Sequence, residues 1–131
     1  MNLPRCSFAL LLALSSLSVA QATGPQALTG SGLSQTLDCG GGPVSVSGSS
    51  NTVTLTGTCT RVVLTGSGNR LTLTGRVSRL DVEGSSNRVG AQTVGRIRVE
   101  GSGNAVSWHR AISGPRPTIS MTGSSNSVSK R

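Results

Sequence analysis

The chain has 131 residues, with 12 lysines and arginines against 4 acids for a formal charge of +8, no tyrosine, one tryptophan, one phenylalanine and one histidine. A chain this short makes one domain, and so few titratable groups leave little from which to build an acid–base, nucleophilic or metal-dependent active site. No catalytic residue, metal or cofactor is therefore expected, and the basic balance favours acidic partners.

Residues 1–20 read as a secretory signal peptide. Met1-Asn2-Leu3-Pro4-Arg5 carries one basic residue, an apolar stretch runs from Phe8 to Leu14, and small residues at Ser18-Val19-Ala20 and Ala20-Gln21-Ala22 offer cleavage after 20 or 22. Cys6 precedes the apolar core and leaves with the peptide. Nothing later is apolar for long enough to span a membrane. The expected location is secreted or periplasmic, at the cell envelope. Residues 21–29 read as a polar lead-in and 30–131 as the folded domain.

Within that domain the tetrapeptide Gly-Ser-(Ser/Gly)-Asn begins at Gly48, Gly66, Gly84, Gly101 and Gly123, in steps of 18, 18, 17 and 22 residues. A near-fixed period is the signature of a repeat architecture. Around each tetrapeptide apolar residues alternate with polar ones, as in Val62, Leu64, Leu71 and Leu73, with Val77 following. Period-two alternation with a β-branched excess predicts strands. One copy is too small to bury its own apolar face, so copies must stack around a shared interior. The prediction is an all-β, single-domain parallel β-solenoid with coils of about 18 residues, right-handed because parallel crossovers overwhelmingly are. One inward column then reads Leu73, Ala91, Trp108, and the last coil contributes Ile119, Met121 and Val128.

Gly30-Ser31-Gly32-Leu33 lies one period before Gly48 and reads as a degenerate first turn in which leucine replaces asparagine. Cys39 and Cys59, 20 residues apart, sit one coil plus two residues from each other, an excess that Gly40-Gly41-Gly42-Pro43 absorbs. Neighbouring coils bring Cα atoms to disulfide distance, and an even pair in an exported chain predicts a bridge. In the tetrapeptide, Gly and Asn are the residues that best tolerate positive φ at a corner. Asn51, Asn69, Asn87, Asn104 and Asn126 should stack as a structural amide ladder. Residues 111–117 hold Pro115 and Pro117 and should protrude as a loop. Lys130 and Arg131 place charge on the last strand, where it discourages end-to-end stacking.

Three surfaces carry functional readings. Arg61, Arg79 and Arg96 recur five residues before a tetrapeptide, and Arg70 and Arg88 follow an asparagine, so two outward arginine columns are expected. They suit contact with a polyanion, or simply keep the solenoid surface soluble. Asp81, Glu83 and Glu100 share an outward face beside Arg98, the basis for an alternative as a polysaccharide-active enzyme. Thr54 and Thr56 over Thr72 and Thr74 resemble two rungs of an ice-binding face, but Gly90 and Gln92 end the array. His109 lacks a second ligand for a metal.

The run from Cys39 through Val53 to Cys59, and on through Gly66-Ser67-Gly68-Asn69, resembles the secreted bacterial family known as domain of unknown function 3060. The resemblance covers about Asp38 to Val128 and departs where Arg70 and Arg88 replace the family's common threonine. It implies a small exported β-solenoid and brings no active site with it. The reading is thus an exported structural, adhesive or binding module of the cell envelope. Its expected partner is an anionic polysaccharide or the envelope surface, with no specific nucleic acid and no transmembrane segment.

Overall fold

Alternation of β-branched and polar residues becomes a stack of parallel strands in the computed structural model, which describes residues 26–131. The predicted signal peptide lies outside the described residues, as does the lead-in before Gln26. In chain order the strands are β1 (Gln26–Ser31), β2 (Ser34–Asp38), β3 (Val44–Ser49), β4 (Thr52–Thr56) and β5 (Thr58–Ser67), then β6 (Arg70–Ser85), β7 (Arg88–Ser102), β8 (Ala105–Ala111), β9 (Thr118–Ser124) and β10 (Ser127–Lys130). Every pairing is parallel and joins one coil to the next: β1 to β3, β3 to β5, β2 to β4, β4 to β6, and so on through β8 with β10 and β7 with β9. The molecule is an all-β parallel β-solenoid of about six turns with coils of about 18 residues, as the repeat predicts.

The registers stack like on like. Val44, Val62, Leu80, Ile97 and Ile119 form one inward column, and Leu55, Leu73, Ala91 and Trp108 form another. Burying each Val or Leu in such a column contributes about 1.5–3 kcal/mol, and the interior from Val44 to Trp108 is almost completely dry. Ala91 gives Trp108 room, so the indole sits in the core at 3 % exposure. Met121 keeps the inward register, beside Val99, but is 50 % exposed. It lies on β9, and among the described residues no further coil covers it.

Two irregularities in the period have local causes. The 17-residue step is taken up between Leu73 and Arg76, where the pairing of β6 with β7 skips one residue and resumes with Arg76 beside Thr93. Placing the deletion at a corner preserves the inward parity of the strands on both sides. The 22-residue step is the segment after β8. Ala111 is still strand, paired with Val94, so the loop proper runs from Ile112 to Pro117 and is shorter than the sequence suggests. Ile112 donates its N–H to the Val94 carbonyl, and Pro117 is buried where the chain re-enters the stack.

The first coil also begins earlier than the expected boundary at residue 30. Gln26 pairs with Val44 and Leu28 with Val46, which puts Leu28 against the core, and the Gln26 Nε2 donates to the Asp38 carbonyl at 2.8 Å. Leu28 keeps the inward parity, and the gain from covering Val46 extends the coil back to Gln26.

Cys39 and Cys59 form the predicted disulfide, with Cα atoms 5.1 Å apart and both side chains buried. Gly40 and Gly41, at φ 60° and 83°, turn the chain between the two coils. Closing a loop of this length contributes about 3 kcal/mol. A Cys39→Ser/Cys59→Ser double variant should therefore melt roughly 15 °C lower than the oxidised protein. Thermal unfolding followed by circular dichroism checks this, and a shift of a degree or two would mean that the bridge constrains little.

Candidate functional site

The corner that carries each tetrapeptide is built by two residues with positive φ. Its first glycine has φ between 112° and 131° in every copy. A Cβ there would lie 1.6–1.8 Å from the carbonyl oxygen of the glycine one coil below, so only glycine allows the coils to approach. The second is the third residue: Ser50, Ser86 and Ser125 have φ of 56–59°, and Gly68 and Gly103 have 66° and 67°. The sequence reading assigned that conformation to the asparagine instead. Asparagine is there for its side chain.

The amides of Asn69, Asn87 and Asn104 each span three coils. The Asn87 Oδ1 accepts from the backbone N–H and the Nδ2 of Asn69, both at 3.1 Å, while the Asn87 Nδ2 donates to the Gly66 carbonyl and to the Asn104 Oδ1. The pattern repeats at Asn104, and the backbone N–H of Asn51 donates to the Asn69 Oδ1. Asn51, Asn69, Asn87 and Asn104 are buried and bonded inside the wall, with Asn69 and Asn87 also bordering a hollow beside Arg70 and Arg88. At the first corner the Leu33 N–H donates to the Asn51 Oδ1, and leucine itself passes nothing on.

Outside the wall, the two arginine columns differ in their counter-charge. Arg61, Arg79 and Arg96 stand in register, as expected. Arg61 and Arg79 fold over the carboxylate of Asp81: the Arg61 Nη2 lies 2.9 Å from Oδ2 and the Arg79 Nε 3.4 Å from Oδ1. The arginines are 52 % and 38 % exposed, whereas Asp81 is 2 % exposed. Asp81 thus has the outward parity expected of it but is roofed by two long side chains. Arg98, its register partner on the next coil, pairs instead with Glu100 on its own strand. Glu83 and Glu100 are stacked in register. Of the three acids proposed for catalysis, Asp81 therefore does not open onto the surface that the other two share.

Arg70 and Arg88 also stand in register, with Thr52 before them and Ala105 after. Both are exposed, and neither makes an ion pair among the described residues. Their side chains form a ridge between two hollows. One, of about 360 Å³, opens toward the corners at Gly68, Ser86 and Gly103. The other, of about 200 Å³, opens over the strand face at Thr72, Gly90 and Ser107 and is bordered by Arg131. Gly90 interrupts the Thr54–Thr72 column, and a Cβ on it would lie 3.0 Å from the Arg131 Nη2.

The remaining candidates contribute less. Thr56 and Thr74 return their hydroxyls to the Leu37 and Leu55 carbonyls, which removes two of the four threonine hydroxyls of the ice-binding reading. His109 is exposed, and among the described residues no three His, Cys, Asp or Glu side chains gather to hold a metal. The Lys130 Nζ lies 5.6 Å from the Trp108 ring centroid, a cation–π distance. No helix among the described residues is long and apolar enough to cross a membrane. Sequence reasoning missed the part of Arg131, whose signal was the single glycine in an otherwise hydroxylated column.

Compared with known proteins, residues 46–72 and 64–125 match the family model described as "Protein of unknown function (DUF3060)". No curated protein and no solved structure matches the chain.

Proposed function

Since the chain belongs to the DUF3060 family, we propose that it is an exported module of the cell envelope that binds an anionic polysaccharide along its Arg70–Arg88 ridge. The observation that carries this reading is that Arg61 and Arg79 are given a carboxylate, whereas Arg70 and Arg88, like Arg96 at the end of the other column, are not. Like charges directly opposite one another on neighbouring strands are destabilising. At Arg61 and Arg79 the chain supplies its own carboxylate, Asp81, between the guanidiniums. At Arg70 and Arg88 no described acid does so, and two hollows flank the pair. An external anion is what such a ridge lacks.

A location outside the cytoplasm agrees with the disulfide, because such bridges persist in oxidising compartments. A flexible polyanion can run along the solenoid axis with its charges near guanidiniums spaced at about 4.8 Å. Arginine forks grip oxyanions in pairs of parallel hydrogen bonds. The protein needs no cofactor for this task, and it holds its ligand rather than transforming it.

Titration with dextran sulfate and with polygalacturonate tests the proposal. Arg70→Gln/Arg88→Gln should lower affinity for both polymers at least tenfold and should leave the fold intact, because both side chains are exposed. Raising salt should weaken wild-type binding too, since exposed charges are screened within about 8 Å at physiological ionic strength. Arg61→Gln/Arg79→Gln should instead cost stability by stranding Asp81, with a much smaller loss of affinity. Absence of polymer binding by the wild type, or equal losses from the two double variants, would sink the reading.

A further inference from the structure

We infer that the hollow over Gly90 is a discrete subsite for one sulfate or phosphate ester group, clasped by Arg70, Arg88 and Arg131. The inference rests on the ridge reading above and narrows its ligand.

Its basis is the convergence of a third cation on a place already crowded with two. Arg70, Arg88 and Arg131 all line the same hollow of about 200 Å³, and the described residues lining it include no aspartate or glutamate. The guanidinium of Arg131 reaches in only because residue 90 has no side chain: a Cβ would stand 3.0 Å from Nη2 and 3.7 Å from Cζ. On the coil before, the same column holds Thr72, and on the coil after it holds Ser107. Threonine is a favoured strand residue and glycine a weak one, so glycine here sacrifices local strand preference to open the space.

The chemistry of the group follows from the number of donors. A carboxylate offers two oxygens in one plane, which a single guanidinium fork satisfies. A sulfate or phosphate monoester presents three free oxygens around an axis, and each can accept from a different guanidinium. Three arginines lining one small hollow therefore suit the ester oxyanion better than the carboxylate. Thr72 lines the same hollow, and a threonine hydroxyl can donate as well.

The test is the ratio of affinities for dextran sulfate and polygalacturonate, with inorganic phosphate as the small probe and phosphatidate vesicles as a lipid source of the same group. Wild type should prefer dextran sulfate about tenfold at equal charge density, and inorganic phosphate should shift the Gly90 amide resonance. Gly90→Thr restores the residue type of the column and should fold, since its Cβ meets only the end of a flexible side chain. It should displace Arg131 and bring dextran sulfate down to the affinity of polygalacturonate. Arg131→Gln should do the same. If wild type binds both polymers equally, or Gly90→Thr keeps the preference, the subsite is wrong while the ridge reading stands. Failure of both polymers to bind overturns the two together. Binding to phosphatidate vesicles in place of dextran sulfate assigns the ester group to a lipid and overturns the glycan.

Discussion

Gly84→Ala should abolish cooperative folding. The Cβ it adds would stand 1.8 Å from the Gly66 carbonyl oxygen and 2.8 Å from its carbon, and Gly84 has a φ of 124° that L-residues rarely adopt. Relief requires the two coils to separate by more than an ångström. That would break the register of β5 with β6 and pull the Asn87 Nδ2 from the Gly66 carbonyl. The combined cost is on the order of 4 kcal/mol or more, in the range that single substitutions reach only through such clashes. Gly114→Ala is the matching control. It has φ 75° with nothing within 4 Å of the added atom, so only the backbone term of about 1 kcal/mol remains. Urea unfolding of the two variants separates them, and similar midpoints would show that stacked glycines do not set the coil spacing.

Asn87→Leu should be nearly as damaging, although leucine is close to asparagine in size. The substitution leaves the buried Asn69 N–H without its acceptor and the Gly66 carbonyl without the Asn87 donor, and it removes one donor from the Asn104 Oδ1. Each buried polar group left unsatisfied costs about 1–3 kcal/mol, for a total of roughly 3–5 kcal/mol. Asn126→Leu also removes the acceptor of the Asn104 N–H and Nδ2, but it should cost less, because its corner is half-buried and water can replace its bonds to Gly101 and Thr122. Leu33 already shows that a corner tolerates leucine when no earlier asparagine points at it. Chemical denaturation of both variants tests this, and equal losses would mean that the ladder does not hold the wall.

The fold was legible in the sequence because one constraint recurs in every coil. Stacking demands glycine at one position and an amide at another, and the alternation between them fixes which side chains face inward. The cysteine pair was legible for the same reason, since a one-coil separation is a distance. The backbone role of the third tetrapeptide position was available in principle. Ser50, Gly68, Ser86, Gly103 and Ser125 alternate between glycine and serine because that residue takes the left-handed conformation. Asparagine drew attention away from it.

The outer face was much less legible. Parity correctly turns Asp81 outward, but it cannot reveal that Arg61 and Arg79 have stems long enough to fold over a shorter neighbour and bury it. The meeting of Arg131 with Gly90 was hidden by the irregular steps. Position 131 falls near that column only after a one-residue deletion following Ala91 and a loop between Ile112 and Pro117 have been placed.

The cystine between the first two coils also decides how the molecule yields under tension. Each coil of a solenoid is held only by its neighbours, so a chain pulled from both ends peels coil by coil. Tension arriving from the N-terminal side passes from Cys39 through the sulfurs to Cys59 and bypasses β3 and β4, which lie within the 20-residue separation. The next hydrogen bonds to carry load belong to β5, beyond a coil that remains slack. A reductant releases that hidden length, roughly 60–70 Å at about 3.3–3.6 Å per residue. In a force–extension trace the redox state of one bond would therefore appear as a difference in contour length.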